Sequence, residues 1–195
     1  MKILIIADAE AGSLWDYYTP DKLENIDLIL SCGDLKPEYL TFLVTMAHCP
    51  LLYIHGNHDG IYQRRQPEGC ICIEDQIYEY KGIRILGLGG SCWYSGGPHQ
   101  YTQKEMRRRV QRLWLKLRRK KGFDILLTHA PARGIHDEEN TAHMGFEIFC
   151  NLLEKYTPKY HLHGHVHLNY GRNPRVTQYQ ETTVINGYGF YILDY

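Results

Sequence analysis

Short apolar runs alternate with segments of helical period along this chain, which is typical of a mixed α/β fold. Apolar runs bounded by polar or glycine residues predict buried strands. These runs are residues 2–7, 27–31, 51–55, 83–88, 124–128 and 159–163. The segment 177–194 is also strand-like, with breaks at Asn186-Gly187 and at Gly189.

Three segments have the spacing of amphipathic helices. Residues 37–47 begin with a proline, which suits the first turn of a helix. Residues 102–121 open with Thr102 and Glu105, the form of a capping box. An apolar stripe follows on one face, made of Met106, Val110, Leu113 and Leu117. A last helix is predicted over about 141–156, with Phe149, Leu152, Leu153 and Tyr156 facing inward.

Five of the six strand-like runs end in a cluster of Asp, Asn, His or Gly, the exception being 83–88. In open α/β sheets the carboxyl ends of the strands meet at one crevice, where ligands bind. The sequence therefore predicts one α/β domain over residues 1–195, with a mixed sheet or two packed sheets and a site assembled from several loops.

Composition narrows the class of protein. The 195 residues carry 22 Lys+Arg and 22 Asp+Glu, and 44% are hydrophobic, which excludes a disordered chain and a globally basic nucleic-acid binder. No apolar run is long enough to span a bilayer, and Asp8 comes too early for a signal peptide. We expect a cytoplasmic protein with no membrane partner. Its six cysteines are expected to be buried, reduced thiols.

The polar clusters form an ordered set of motifs. They are Asp8-Ala9-Glu10, Gly33-Asp34, Gly56-Asn57-His58-Asp59, His129 and Gly164-His165-Val166-His167. Each motif alone is compatible with a turn or a core histidine. Together, and each after an apolar strand, they resemble the calcineurin-like metallophosphoesterase family, in particular its single-domain phosphodiesterase-like branch. The resemblance covers essentially the whole chain.

The resemblance implies a four-layer α-β-β-α sandwich, in which two mixed β-sheets are flanked by helices. It also implies two divalent metal ions bridged by Asp34. Asp8 and His167 would complete the shell of the first metal, and Asn57, His129 and His165 that of the second. Independently, carboxylate, amide and imidazole donors make a mixed oxygen and nitrogen shell. Mn²⁺ is the expected metal, with Fe, Zn, Ni or Mg as alternatives.

For catalysis, the resemblance implies hydrolysis of a phosphomonoester or phosphodiester by a metal-bound hydroxide. His58 would protonate the leaving oxygen or stabilise charge there, and Asp59 would orient His58. The expected substrate is a small phosphate ester, with nucleotides among the candidates. The glycines that precede the ligands, at positions 33, 56 and 164, suit sharp turns that need positive φ angles.

Glu10 stands where the family has histidine. A carboxylate there could still bind the first metal and make its shell harder and more anionic, which favours Mn²⁺ or Mg²⁺. Alternatively, Glu10 turns away from the cleft and leaves the first metal weak or absent.

Other histidines and cations have two interpretations each. The segment 129–137 resembles a loop of some phosphodiesterases in the family, so Arg133, His136 and His143 either meet the leaving group or belong to a solvated loop. We interpret His55, His161 and His163 as structural residues or partners of the metal ligands.

The segment 104–121 holds ten Lys or Arg among 18 residues. It is either the solvated face of a helix, which we favour, or a contact for nucleic acid. Two alternative functions follow: a nuclease that uses this basic helix, and a catalytically weak or inactive scaffold for protein binding, which only Glu10 favours.

Overall fold

The computed structural model describes residues 1–168 and 174–195. Its strands are β1 (Lys2–Ala7), β2 (Leu28–Ser31), β3 (Leu51–Tyr53), β4 (Ile71–Cys72), β5 (Gln76–Tyr80), β6 (Ile83–Leu88), β7 (Ser91–Cys92), β8 (Gln100–Tyr101), β9 (Ile125–Thr128), β10 (Tyr160–His163), β11 (Val176–Tyr179), β12 (Thr182–Asn186) and β13 (Gly189–Asp194). Its α-helices are α1 (Pro37–Ala47), α2 (Gln103–Arg112), α3 (Trp114–Lys120) and α4 (Glu147–Tyr156). None of the helices in the described ranges is both long and apolar enough to cross a bilayer.

Two large mixed sheets carry the fold. One has the strand order β13-β1-β2-β3-β4, and the other has the order β11-β12-β10-β9-β6-β5. In the first sheet β1, β2 and β3 run parallel, and in the second β6, β9, β10 and β12 run parallel. A pair of short parallel strands, β7 and β8, forms a third, two-stranded sheet.

Three apolar clusters separate four layers. The central cluster joins the two sheets through side chains such as Ile5 and Leu30 of the first and Leu127 and Leu162 of the second. A second cluster packs α1 against the outer face of the first sheet. A third packs α2, α3 and α4 against the outer face of the second sheet. This arrangement confirms the predicted α-β-β-α sandwich.

The predicted strands and helices are observed with adjusted bounds. The helix predicted over 102–121 is interrupted at Leu113, whose φ and ψ are −88° and −4°, so that α2 and α3 are separate helices. The helix predicted over 141–156 begins only at Glu147, because the backbone of Phe146 bonds to Pro131 and Arg133. Of the six free cysteines, only Cys32 and Cys92 are buried, and the other four are half-buried, which corrects the expectation that all would be buried.

Candidate metal centre

The predicted site residues meet where β1, β2, β3, β9 and β10 end. A cleft of about 450 Å³ opens there. It is lined by Asp8, Asp34, Asn57, His58, Tyr94, Ala142, His143, His165 and His167. His129 is fully buried and contacts Asn57 and Asp34. The structure thus brings seven residues of the sequence motifs, from five loops, into one place.

Three of the candidate ligands have strained backbones. Asp8, Asp34 and His165 have φ angles of 62°, 57° and 67°, in the left-handed region that non-glycine residues rarely adopt. Each such residue costs of order 1–3 kcal/mol and persists only where the surrounding structure holds it. Their concentration in one cleft is typical of a functional site.

Glycines let the carboxylates approach the neighbouring loops. A Cβ atom at Gly56 would lie 2.0 Å from Oδ1 of Asp34, and one at Gly164 would lie 2.6 Å from Oδ2 of Asp8. Gly33 has the expected positive φ, at 95°. Gly56 and Gly164 do not have it, so these two positions need glycine for space rather than for conformation.

Asp34, Asn57 and His129 form the buried part of the cluster. Nε2 of His129 lies 3.0 Å from Oδ1 of Asn57 and 3.3 Å from Oδ2 of Asp34. Nδ1 of His129 donates to the carbonyl oxygen of Cys32 at 2.8 Å. That bond fixes the ring so that Nε2 faces the cleft, as second partners of metal-binding histidines commonly do.

His165 completes a group of three metal-binding side chains. One ligand atom each from Asp34, His129 and His165 lies within 4.8 Å of the other two. The backbone N–H of His165 donates to both carboxylate oxygens of Asp8, at 3.1 and 2.9 Å. Nε2 of His165 lies 2.6 Å from the carbonyl oxygen of Ala142. His165 therefore links the Asp8 loop to the buried group.

The electrostatics of Asp34 and His129 are coupled. Burial opposes the charged form of Asp34, but the charge and hydrogen bond of His129 and the N–H of His58 outweigh it and lower the pKa of Asp34 to about 2. Burial likewise opposes charge on His129, but the carboxylates of Asp34 and Asp8 raise its pKa to about 9. In the metal-free protein the pair is therefore ionised near neutral pH.

The cluster has more negative than positive groups. Burial, together with the neighbouring charge of Asp34, raises the pKa of Asp8 to about 7 and that of Asp59 to about 6. His165 offers no compensating charge, because burial and the charge of His129 lower its pKa to about 3. A buried set of three carboxylates with one imidazolium fits a cation, and its oxygen and nitrogen donors suit Mn, Fe or Zn.

His58 and Asp59 occupy one turn beside the metal ligands. The His58 backbone N–H donates to Oδ1 of Asp34 at 2.7 Å, while its side chain is exposed and lines the cleft. Oδ2 of Asp59 accepts from the backbone N–H groups of Gly56 and Asp34, at 2.7 and 2.8 Å. Asp59 thereby fastens the turn that carries His58.

Glu10 and His167 lie at the edges of this cluster. Oε1 of Glu10 accepts from the backbone N–H of Lys36 at 3.0 Å, and Oε2 lies 3.8 Å from the Lys36 ammonium. The ring of His167 packs on Tyr188, with 4.7 Å between ring centroids, and lines the cleft. Neither side chain belongs to the compact group formed by Asp34, His129 and His165.

The residues of the 129–137 loop separate into different environments. Arg133 pairs with Asp137 at 3.1 Å, and His136 is buried with Nδ1 2.9 Å from Nε2 of His163. His143 alone of the three candidates lines the cleft. His161 and His163 are fully buried, as their structural interpretation requires.

His55 belongs to a separate cluster with Cys72 and Glu74. Glu74 is neutralised there by the buried Arg109, at 2.8 Å, and it also pairs with Nδ1 of His55. Because this second group has a cation of its own, it lacks the negative excess of the cleft. These contacts agree with the interpretation of His55 as a structural residue.

The basic segment lies on the outer layer. Within the described part of the chain, α2 and α3 contribute no residue to the lining of the cleft. Arg109 is buried against Glu74 and Asp75, and Lys120 pairs with Glu79 at 2.8 Å. Arg109 is thus an internal ion-pair partner and not part of a solvated face, whereas most of the other cations of this segment are exposed.

Sequence reasoning missed three contributors to the site. The hydroxyl of Tyr94 accepts from Nδ2 of Asn57 at 3.1 Å, which leaves Oδ1 of Asn57 directed at His129. The other two are the backbone carbonyls of Cys32 and Ala142. Carbonyl groups have no sequence signature, and Tyr94 lies between the short strands β7 and β8, outside the motifs.

Comparison with known proteins agrees with this geometry. The sequence profile of the calcineurin-like phosphoesterase family matches residues 1–169. The chain therefore belongs to this family, whose members are in general metal-dependent phosphoesterases.

Two curated relatives are UPF0046 protein C25E10.12 of Caenorhabditis elegans and human metallophosphoesterase domain-containing protein 1. The first is 31% identical over 187 residues, covering 80% of this chain and 62% of that protein. The second is 27% identical over 105 residues, covering 52% of this chain and 31% of that protein. The chain thus spans less than two-thirds of either relative. The crystal structure of TT1561 from Thermus thermophilus has the same fold, with a TM-score of 0.64, 18% identity and coverage of 95% of this chain and 88% of that one.

Proposed function

We propose that residues 1–195 form a single metallophosphoesterase domain that hydrolyses a small phosphomonoester or phosphodiester at a centre of two divalent cations. The convergence of Asp34, His129 and His165 within 4.8 Å, on the strand ends of two sheets, carries this proposal. Asp34 is the proposed bridge, Asp8, Glu10 and His167 the further ligands of one metal, and Asn57, His129 and His165 those of the other. Mn²⁺ is the proposed metal, and nucleotides are among the proposed substrates.

When bound, two such cations polarise a phosphoryl oxygen and lower the pKa of a coordinated water. The residues of the protein orient the metal ligands and supply the proton. Cys32 and Tyr94 orient the donor atoms of His129 and Asn57 through the bonds described above. His58 holds a proton beside the cleft and delivers it to the leaving oxygen, and Asp59 fixes the position of His58 through the backbone.

A metal-resolved screen tests the proposal. The protein is stripped of metal, each divalent ion is added back separately, and hydrolysis of generic monoesters and diesters is measured. Hydrolysis that appears with Mn²⁺ and is absent from the stripped protein supports the enzyme. A stable, metal-binding protein that hydrolyses neither ester class with any ion supports the scaffold instead. Salt-dependent binding of single-stranded RNA would support the nuclease.

Metal binding should release protons. At pH 8 the metal-free His129, with its pKa of about 9, is protonated, and it must lose that proton to offer Nε2 to a cation. The apparent affinity for Mn²⁺ should therefore fall by about tenfold per pH unit as the pH drops from 9 to 7. Below about 7 it should fall more steeply, because Asp8 is protonated as well. Titration calorimetry in buffers of different ionisation enthalpy counts the protons, and a count of zero at pH 8 contradicts this role of His129.

Glu10 provides a test of the departure from the family pattern. Its Oε2 lies 3.8 Å from the exposed ammonium of Lys36, a long contact that metal binding can replace. We expect Glu10→Gln to weaken the first metal by roughly 10–100-fold and to leave the second unchanged. Glu10→His should shift the first site toward Zn²⁺. Both variants are titrated with Mn²⁺ and Zn²⁺. Titration curves indistinguishable from those of the wild type would show that Glu10 remains paired with Lys36 and binds no metal.

A further inference from the structure

A second hollow adjoins the metal cleft at His58. It has a volume of about 320 Å³, at the lower end of the roughly 300–1,000 Å³ range of small-molecule sites. Asp34 and His58 line both the hollow and the cleft. A molecule with its phosphate among the metal ligands can therefore extend past His58 into this space.

The walls of the hollow are largely apolar. Leu35 and Pro37 are buried side chains of its lining, and Ile61 faces it with 52% of its surface exposed. Ile61 lies on a short 3-10 turn, Asp59–Gln63, directly after His58. Since Asp59 fastens this turn to Gly56 and Asp34, the spacing between His58 and Ile61 is fixed by the same bonds that fix the site.

The carboxylates that line the hollow outnumber its cations. Lys36 lies 3.8 Å from Glu10, and Arg65 forms an ion pair with Glu38. Both pairs belong to the lining. Asp34 and Asp59 also line the hollow, so two cations face four carboxylates. This balance gives no net attraction for a second anionic group, even if Glu10 binds a metal, so the hollow suits an uncharged group.

We propose that this hollow is the leaving-group subsite and that it takes an uncharged alcohol with a flat apolar face, such as an aryl alcohol or a nucleoside. The inference rests on the proposed function, through the role of His58. Hydrolysis joins a water oxygen to phosphorus, breaks the bond between phosphorus and the leaving oxygen, and moves a proton from His58 to that oxygen. The attacking water releases one proton to solvent, and His58 regains one from solvent. In an in-line displacement the leaving group departs opposite the incoming water, on the side of the group that protonates it.

Non-hydrolysable phosphonates test this assignment by binding. Phenylphosphonate and methylphosphonate are titrated calorimetrically into the Mn²⁺-loaded protein. We expect the phenyl compound to bind more tightly than the methyl compound. Ile61→Ala should lower the affinity for phenylphosphonate by about tenfold, since it removes apolar contact with the ring. The affinity for methylphosphonate should be unchanged. Leu115→Ala, which truncates a residue that is 61% exposed on α3, is the matched control and should change neither affinity.

The outcomes separate the inference from the proposed function. Equal affinities for the two phosphonates, unaffected by Ile61→Ala in a protein that hydrolyses esters, would overturn the leaving-group assignment alone. Equal weakening of both phosphonates by Ile61→Ala would also overturn it, because the change would then act on the phosphate position. No binding of either probe and no hydrolysis with any metal would overturn the proposed function and the inference with it.

Discussion

Asp34→Asn should lose at least one of the two metals and reduce phosphoester hydrolysis to background. The substitution removes the one anionic oxygen that both cations would share, and it leaves their mutual repulsion less compensated. Asparagine keeps an oxygen that can accept the His58 N–H, a bond of 2.7 Å in the structure, so the turn should persist. Elemental analysis of the folded variant gives the metal count, and a generic ester assay gives the activity.

Asp194→Asn is the matched control, because it makes the same chemical change at an exposed position on β13. It should retain both metals and full activity. Two fully occupied metals in Asp34→Asn would rule out Asp34 as the essential bridge.

His58→Ala should lower turnover by roughly 10²–10⁴-fold, the usual contribution of a positioned general acid, with metal content unchanged. The backbone N–H of His58 donates to Asp34, a proposed ligand, and the alanine variant retains that group. His58→Gln should be similarly impaired, because an amide cannot deliver the proton. Steady-state kinetics on a generic ester, with elemental analysis of the same samples, make the measurement.

The control replaces a histidine away from the cleft. His48 ends α1 with a φ of 52°, a conformation that asparagine tolerates, so His48→Asn should leave turnover at the wild-type level. If His58→Ala loses a metal, then His58 is a ligand and its assigned role as a proton donor is wrong.

Those parts of the fold that depend on burial could be predicted from the sequence. Residues 3–7 of β1 are all buried, so the strand appears as an unbroken apolar run. The strand β5 is half exposed and β4 has only two residues, and neither leaves such a run. The break at Leu113 has no glycine or proline to signal it. The late start of α4 depends on the pairing of Phe146 with Ala132, a contact between two loops that no local pattern encodes.

The candidate site likewise has residues that the sequence predicts and contacts that it does not. Asp8, Asp34 and His165 follow predicted strands, and their assembly in one cleft follows from the parallel arrangement of those strands. The contacts that orient the site are long-range. The carbonyl of Cys32 meets His129 across 97 residues of sequence, and Tyr94 meets Asn57 across 37. Only the folded chain places such partners together.

Anomalous diffraction from crystals soaked in Mn²⁺ tests the central claim most directly. The proposed centre predicts two peaks about 3.5–4 Å apart, with Asp34 between them and His129 and His165 on one metal. The cluster of His55, Cys72 and Glu74 is an internal comparison, since it has a similar donor set but is neutralised by Arg109, and it should hold no metal. A single peak, or peaks at the His55 cluster with none beside Asp34, would contradict the account.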